Sequence, residues 1–321
     1  MATPRLRREL EQALENVRHR TEGEASSYLS DVSDEQVDAL GAAICDTDGV
    51  VTTAGDCDHV FPLQSVSKAF AYAVTLQEIG LEEVLAHVGV EPSGDAFNQP
   101  SLRRDGRPFN PLINAGAILT HGLIPGGTDG AREELLLATF SALAGEELEV
   151  DEEVYAAEAE RADLNLSLAH LLAAEGVLPD DPREVVRGYL RQCSINVTAP
   201  QLAVMGATLA GGGVNPRTGD RVLDEGVVTQ TLSVMMTCGM YDASGQWVAE
   251  VGLPAKSGVS GALVGVVPGV MGLTAYSPRL DSQGNSVRGI QLFEELSEQW
   301  DLHLLRHREP LAGLREARGE R

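Results

Sequence analysis

Only two lysines occur among the 321 residues of this chain, Lys68 and Lys256, and each lies in a short motif with a demanding geometry. Lys68 closes Ser65-Val66-Ser67-Lys68, an S-x-x-K pattern, and Lys256 opens Lys256-Ser257-Gly258, a K-[S/T]-G pattern. The first requires a helix start that presents Ser65, with Lys68 following one turn later on the same face. Two lysines would fall into such motifs by chance roughly once in a thousand chains of this composition. The pair therefore points to a serine nucleophile served by a lysine.

A serine hydroxyl is a weak nucleophile until a base takes its proton, and a lysine can act as that base only if burial and positive neighbours lower its pKa. Val66, Ala69 and Phe70 flank the motif and are expected to bury it, and Lys256 is expected to depress Lys68 further. The helix start supplies the Ser65 N–H as one oxyanion donor. The strand after Lys256-Ser257-Gly258 is the natural source of a second, with Val259 best placed.

Composition narrows the partners. The net charge is −24, from 48 acidic and 24 basic side chains, which excludes nucleic acid and anionic membrane as obvious ligands because both would be repelled. Cys45, Cys57, Cys193 and Cys238 are far apart, with no C-x-x-C and no histidine at ligand spacing, so they read as buried thiols of a reducing compartment. The first residues lack an apolar signal-peptide core, and the most apolar stretch, 261–273, is broken by glycines and Pro268. A soluble cytoplasmic protein is expected. The acid excess suits a chain adapted to concentrated salt; a GC-rich genome would explain the scarcity of lysine but not the two-to-one excess of acid.

The chain is organised around an inserted helical middle. Leu6, Leu10, Leu14 and Val17 recur at helical steps, Gly41–Cys45 and Val50–Thr53 form a hairpin through Asp48-Gly49, and Ser65–Ile79 reads as a helix stopped by Gly80. Helical periodicity continues over 132–144, 152–174, 183–192 and 199–210. Trp247–Val251, Val259–Val267 and Val270–Tyr276 read as strands, followed by a helix over 286–305 and a polar tail over 306–321. The expected architecture is α/β: one domain over 1–305, with an antiparallel-sheet subdomain from about 20–62 and 240–305 and a helical subdomain over about 63–239.

Five stretches then carry a family resemblance: Gln64–Lys68, Glu91–Asn98, Asn110–Ile118, Thr237–Asp242 and Gly252–Gly261. In order and spacing they resemble the serine-dependent glutaminases, over about residues 20–305. The resemblance implies a β-lactamase-like fold and hydrolysis of L-glutamine to L-glutamate and ammonia through a γ-glutamyl-serine ester. It implies no metal or organic cofactor, and a homodimer or homotetramer. Carried over by position, it implies Ser65 as nucleophile, Lys68 as its partner, Tyr241 as proton shuttle, and Asn114, Glu158, Asn165, Tyr189, Tyr241, Val259 and Tyr28 as lining residues. Gln64 and Lys256 would support them.

The physical chemistry of a free amino acid agrees, since its ammonium and carboxylate both need partners on desolvation. Glu158 suits the ammonium, and Asn114, Asn165 and Tyr189 suit the carboxylate. The seven-residue spacing from Glu158 to Asn165 is expected to put both on one helical face. Leu164 stands where the family usually has arginine, and residues 120–150 match the family pattern poorly. Ser194-Ile195-Asn196 imitates the S-x-N motif of β-lactamases at a different chain position and reads as coincidence. The rival readings are a penicillin-recognising serine hydrolase, disfavoured by Glu158 and the paired asparagines, and a non-catalytic amino-acid sensor, disfavoured by intact Ser65 and Lys68.

Overall fold

The computed structural model describes residues 4–26, 37–94, 99–127 and 130–306. Tyr28 and nearly all of the expected polar tail lie outside the described residues.

Both ends of the chain contribute to one sheet. The strands among the described residues are β1 (Glu24–Ala25), β2 (Gly41–Asp46), β3 (Val51–Gly55), β4 (Phe61–Pro62), β5 (Asn196–Val197), β6 (Ala255–Ser257), β7 (Ala262–Val267), β8 (Met271–Tyr276) and β9 (Arg279–Leu280). Five form an antiparallel sheet in the order β3-β2-β8-β7-β6, and two short pairs, β1 with β9 and β4 with β5, stand apart. The β2–β3 hairpin turns at Asp48-Gly49 as its sequence demands, with Gly49 at φ +80°.

The helices are α1 (Pro4–Arg18), α2 (Ser67–Ile79), α3 (Leu81–His87), α4 (Asn114–Leu123), α5 (Ala131–Ala144) and α6 (Glu152–Glu160). After them come α7 (Asp163–Ala174), α8 (Pro182–Cys193), α9 (Ala199–Ala210), α10 (Glu225–Cys238), α11 (Ser244–Glu250) and α12 (Val287–Gln299).

Alternation along the strands gives the sheet two buried faces. Ala42, Ile44, Leu263, Leu273 and Ala275 face α1 and α12, where Leu10, Leu14, Leu292 and Phe293 complete one core. Each fully buried leucine there contributes about 1.5–3 kcal/mol. The opposite residues, Ala43, Cys45, Val264 and Val266, join α2 and α9 in a second core that runs on into the helical layer. A third core, between α4, α7 and α8, is built from Ile118, Leu119, Leu168, Leu172 and Val185. The site described below lies among these helices and the edge strand β6.

Three expectations are corrected. Trp247–Val251 is not a strand: Trp247–Glu250 forms the second half of α11 and Val251 caps it. Trp247 and Val251, four apart, are both buried, and Trp247 Nε1 donates to Leu253 O at 2.7 Å. Burial at helical spacing overrides the strand preference of tryptophan and valine. The stretch 152–174 is two helices, α6 and α7, broken at Arg161-Ala162 with Ala162 buried at the joint. Glu158 and Asn165 are therefore not on one helical face; they sit on separate helices. Last, the strand expected from Val259 begins at Ala262, because Gly258–Gly261 forms a turn in which the Gly261 N–H bonds Gly258 O at 3.0 Å.

Candidate active site

The Ser65 turn is built by local strain. Gln64–Val66 is a single 3-10 turn leading directly into α2, and Gln64 has φ +47°, in the left-handed region that a non-glycine residue enters at a cost of about 1–3 kcal/mol. Ser65 is 8% exposed and Lys68 1% exposed, so both are buried and the amine is the more enclosed. Burial pushes the Lys68 amine down to about 8, and its Nζ donates to Asn114 Oδ1 at 2.6 Å. Asn114, the first residue of α4, in turn donates from Nδ2 to Asn165 Oδ1 at 3.3 Å.

Tyr241 reaches the same place from the other side. It opens the 3-10 turn Tyr241–Ala243 at φ +53°, and Gln64, Tyr241 and Asp301 are the non-glycine residues with positive φ among the described residues. Its position depends on Gly239, where a Cβ would lie only 1.7 Å from Ala255 O; glycine lets α10 end directly against β6. The Tyr241 side chain lies against Ser65, and its hydroxyl donates to Ser257 O at 3.3 Å. Burial raises its pKa to about 12, with Ser65 and Ser257 opposing the rise, so it stays protonated at neutral pH.

The K-S-G motif forms β6 and the turn after it. Lys256 is fully buried, its Nζ donating to Ser257 O and lying 4.2 Å from the centre of the Tyr241 ring. Burial first, and Lys68 second, push its pKa well below the ordinary lysine range. Burial lowers Lys68 as expected, whereas the repulsion between the two amines acts on Lys256 rather than on Lys68. A Cβ at Gly258 would come within 3.1 Å of Leu63 O and 3.4 Å of Val66 N, so this strand end abuts the Ser65 turn. Among the described residues no backbone carbonyl accepts the N–H of Ser65 or Val259.

The remaining residues complete the cluster. Gln64 Nε2 donates to Glu158 Oε1 at 3.2 Å, and burial raises the Glu158 carboxyl pKa while that bond opposes the rise. Tyr189, 3% exposed on α8, has its phenol pushed well above its usual range by burial, then by Cys193, with Glu158 and Tyr241 adding to the effect. The helix that carries it is fixed by Asp181, whose side chain accepts from the N–H groups of Arg183 and Glu184, with Pro182 in the first turn. The structure thus connects Ser65, Lys68, Asn114, Asn165, Gln64, Glu158, Tyr189, Tyr241 and Lys256, and sets the turn bearing Val259 beside them. A cavity of about 410 Å³ adjoins the cluster; Tyr241, Asn110, Ile113 and Asp242 line it, while Ser65 and Lys68 do not.

Motif reading did not find three contributors. Cys193 lies under the site with its Sγ 3.9 Å from Ser67 Oγ, and burial raises its thiol to about 11, an unreactive state. Gln192 and the Ser257 carbonyl also hold site groups; Gln192 carries no sequence signal, and the K-S-G motif names Ser257 without marking its carbonyl as an acceptor. Among the described residues no group of three histidine, cysteine or acidic side chains could hold a metal ion, and no helix is long and apolar enough to cross a membrane.

Comparison with known proteins decides the family. The glutaminase family model matches residues 23–305. The chain belongs to the glutaminase family. A glutaminase of Corynebacterium efficiens is 52% identical over 300 residues, covering 92% of this chain and 70% of that one. Among solved structures, Mglu in its glutamate form superposes with a TM-score of 0.91 at 43% identity, covering 96% of this chain and 72% of that one. A Bacillus glutaminase solved in the presence of 4.3 M NaCl gives 0.85 at 33% identity, covering 94% of this chain and 100% of that one. The fold is accordingly the β-lactamase-like fold of the glutaminases, and the mixed α/β architecture with its antiparallel sheet agrees with it.

Proposed function

We propose that this glutaminase-family enzyme hydrolyses L-glutamine to L-glutamate and ammonia through a γ-glutamyl ester on Ser65. The observation that carries the reading is the convergence on one serine turn: Tyr241 lies against Ser65, and Lys68, three residues on and with its pKa lowered to about 8, is held by Asn114.

In this mechanism the neutral Lys68 amine takes the Ser65 proton as Oγ bonds the side-chain carbonyl carbon of glutamine. The N–H groups of Ser65 and Val259 hold the oxyanion. As the C–N bond breaks, Tyr241 gives its proton to the leaving ammonia and regains one from the Lys68 ammonium. Water then adds to the ester, the same pair carries its proton, and Ser65 leaves with its hydroxyl restored. Glu158 meets the substrate ammonium, while Asn114, Asn165 and Tyr189 meet the carboxylate. The same reading includes a homo-oligomer, dimer or tetramer, in the cytoplasm.

The experiment is mass spectrometry after treatment with a diazoketone analogue of glutamine, run on the native enzyme and on Ser65→Ala. The adduct is expected on Ser65, and Ser65→Ala is expected to be folded and inactive. An adduct on a cysteine, with Ser65→Ala still turning over, overturns the serine mechanism. Ammonia release from glutamine, asparagine and a chromogenic β-lactam, measured side by side, checks the substrate.

A further inference from the structure

Gln64 and Tyr241, the two strained residues of the site, share a feature that the mechanism does not use. Three residues after each stands a buried serine whose hydroxyl donates back to the strained residue's carbonyl: Ser67 Oγ to Gln64 O at 2.7 Å, and Ser244 Oγ to Tyr241 O at 2.8 Å. Ser244 Oγ also accepts the Met240 N–H at 3.1 Å, so it grips the Tyr241 peptide from both sides. Left-handed backbone at a side-chain-bearing residue persists only where its surroundings hold it.

The Ser67 grip is itself backed. Gln192 Nε2 donates to Ser67 Oγ at 3.0 Å, and Gln192 Oε1 lies 3.0 Å from His121 Nδ1. Donor directions are fixed along this line. Ser67 spends its proton on Gln64 O and accepts from the Gln192 amide nitrogen; the Gln192 oxygen then accepts from His121 Nδ1–H. Burial holds the His121 pKa at about 3, so the ring is neutral and Nδ1 is its donor. Ser67, Gln192 and His121 are each no more than 2% exposed. The line therefore joins the Ser65 turn to α8, which carries Tyr189, and to α4, which begins at Asn114.

We propose that Ser67, backed by Gln192 and His121, and Ser244 are positioning residues for the glutaminase reaction: together they lock the left-handed backbones of Gln64 and Tyr241 and so fix the approach of Tyr241 to Ser65. None of the four need touch substrate. The proposal rests on the reading of Ser65 as nucleophile.

The test is steady-state glutaminase kinetics well below the melting temperature, with melting curves, for Ser67→Ala, Ser244→Ala, His121→Leu and His121→Asn. Ser65→Ala serves as the control for the nucleophile. A displaced reacting pair should lower kcat roughly ten- to a hundredfold in both serine variants and in His121→Leu. KM should stay within about threefold, because the groups that bind glutamine remain. His121→Asn, which keeps a donor near the Nδ1 position, should recover most of the kcat lost in His121→Leu. Lower melting temperatures with kcat unchanged in Ser67→Ala and Ser244→Ala overturn the proposal and leave these serines as fold-stabilising groups only. Equal losses in His121→Leu and His121→Asn remove the backing line. An active Ser65→Ala is a separate result that defeats the nucleophile reading instead. Ser67→Ala and Ser244→Ala each remove a single oxygen, so they remain decisive if the His121 variants fail to fold.

Discussion

Lys68 Nζ donates to the side-chain oxygen of Asn114 at 2.6 Å, so a neutral amide, rather than a carboxylate, faces the buried amine. That choice keeps the amine easy to deprotonate. Asn114→Asp would set a negative charge against Lys68 and favour its ammonium, raising the Lys68 pKa by about 1–3 units. The pH–rate profile of this variant should move to higher pH by that amount, with activity near neutrality falling accordingly. An unshifted profile would separate Lys68 from the base role.

The depressed Lys68 pKa makes two further claims about pH. Below about 8 the amine is protonated, so kcat/KM should fall about tenfold per pH unit as pH drops away from that value. Stability moves in a linked way. With the folded pKa near 8 and the ordinary value at 10.5, the unfolded chain binds more protons between these limits, so stability from this group rises with pH across the window. Lys68→Met should flatten that rise in melting curves taken from pH 8 to 10.5.

Glu158→Gln is expected to raise KM with little harm to the fold. Loss of a charge-assisted hydrogen bond to the substrate ammonium costs about 1.5–3 kcal/mol, or about ten- to a hundredfold. Stability should hold, because burial already disfavours the Glu158 charge and glutamine can keep the contact with Gln64. Substrate titration and a melting curve check both parts. An unchanged KM would leave Glu158 as a buried partner of Gln64 with no part in binding substrate.

What was legible in the sequence was mostly local. Ser65 and Lys68 are three residues apart, and Asp48-Gly49 dictates a hairpin, so both could be read from spacing and turn chemistry. Trp247 and Val251 misled because side chains four apart suit a helix while their residue types suit a strand, and only the shape of the core chooses. The joint at Arg161-Ala162 contains neither glycine nor proline, so nothing marked the turn between Glu158 and Asn165. The His121–Gln192–Ser67 line spans separations of 71 and 125 positions and uses residue types common in any core. Such groups acquire a role only when packing brings them together.

The acid excess leads to the last prediction, that stability and activity both rise as salt is added. The chain carries a net charge of −24, and at one place burial and like charge act together: Glu294 is raised from the ordinary carboxylate value by burial and then by Glu250, with Glu295 and Glu298 lining the same surface. Chloride salts should screen this repulsion, with the gain saturating as the Debye length falls to about 3 Å near 1 M. The exposed ion pairs, such as Arg5–Glu9 and Arg18–Glu15, should lose little, since water already screens such pairs. Glu294→Gln should raise the melting temperature at low salt and reduce its dependence on salt. A chloride series of melting curves and glutaminase assays tests the point. Continued gain beyond about 1 M would show hydration or ion binding by clustered carboxylates, whereas maximal stability at low salt would make the missing lysines a matter of codon usage.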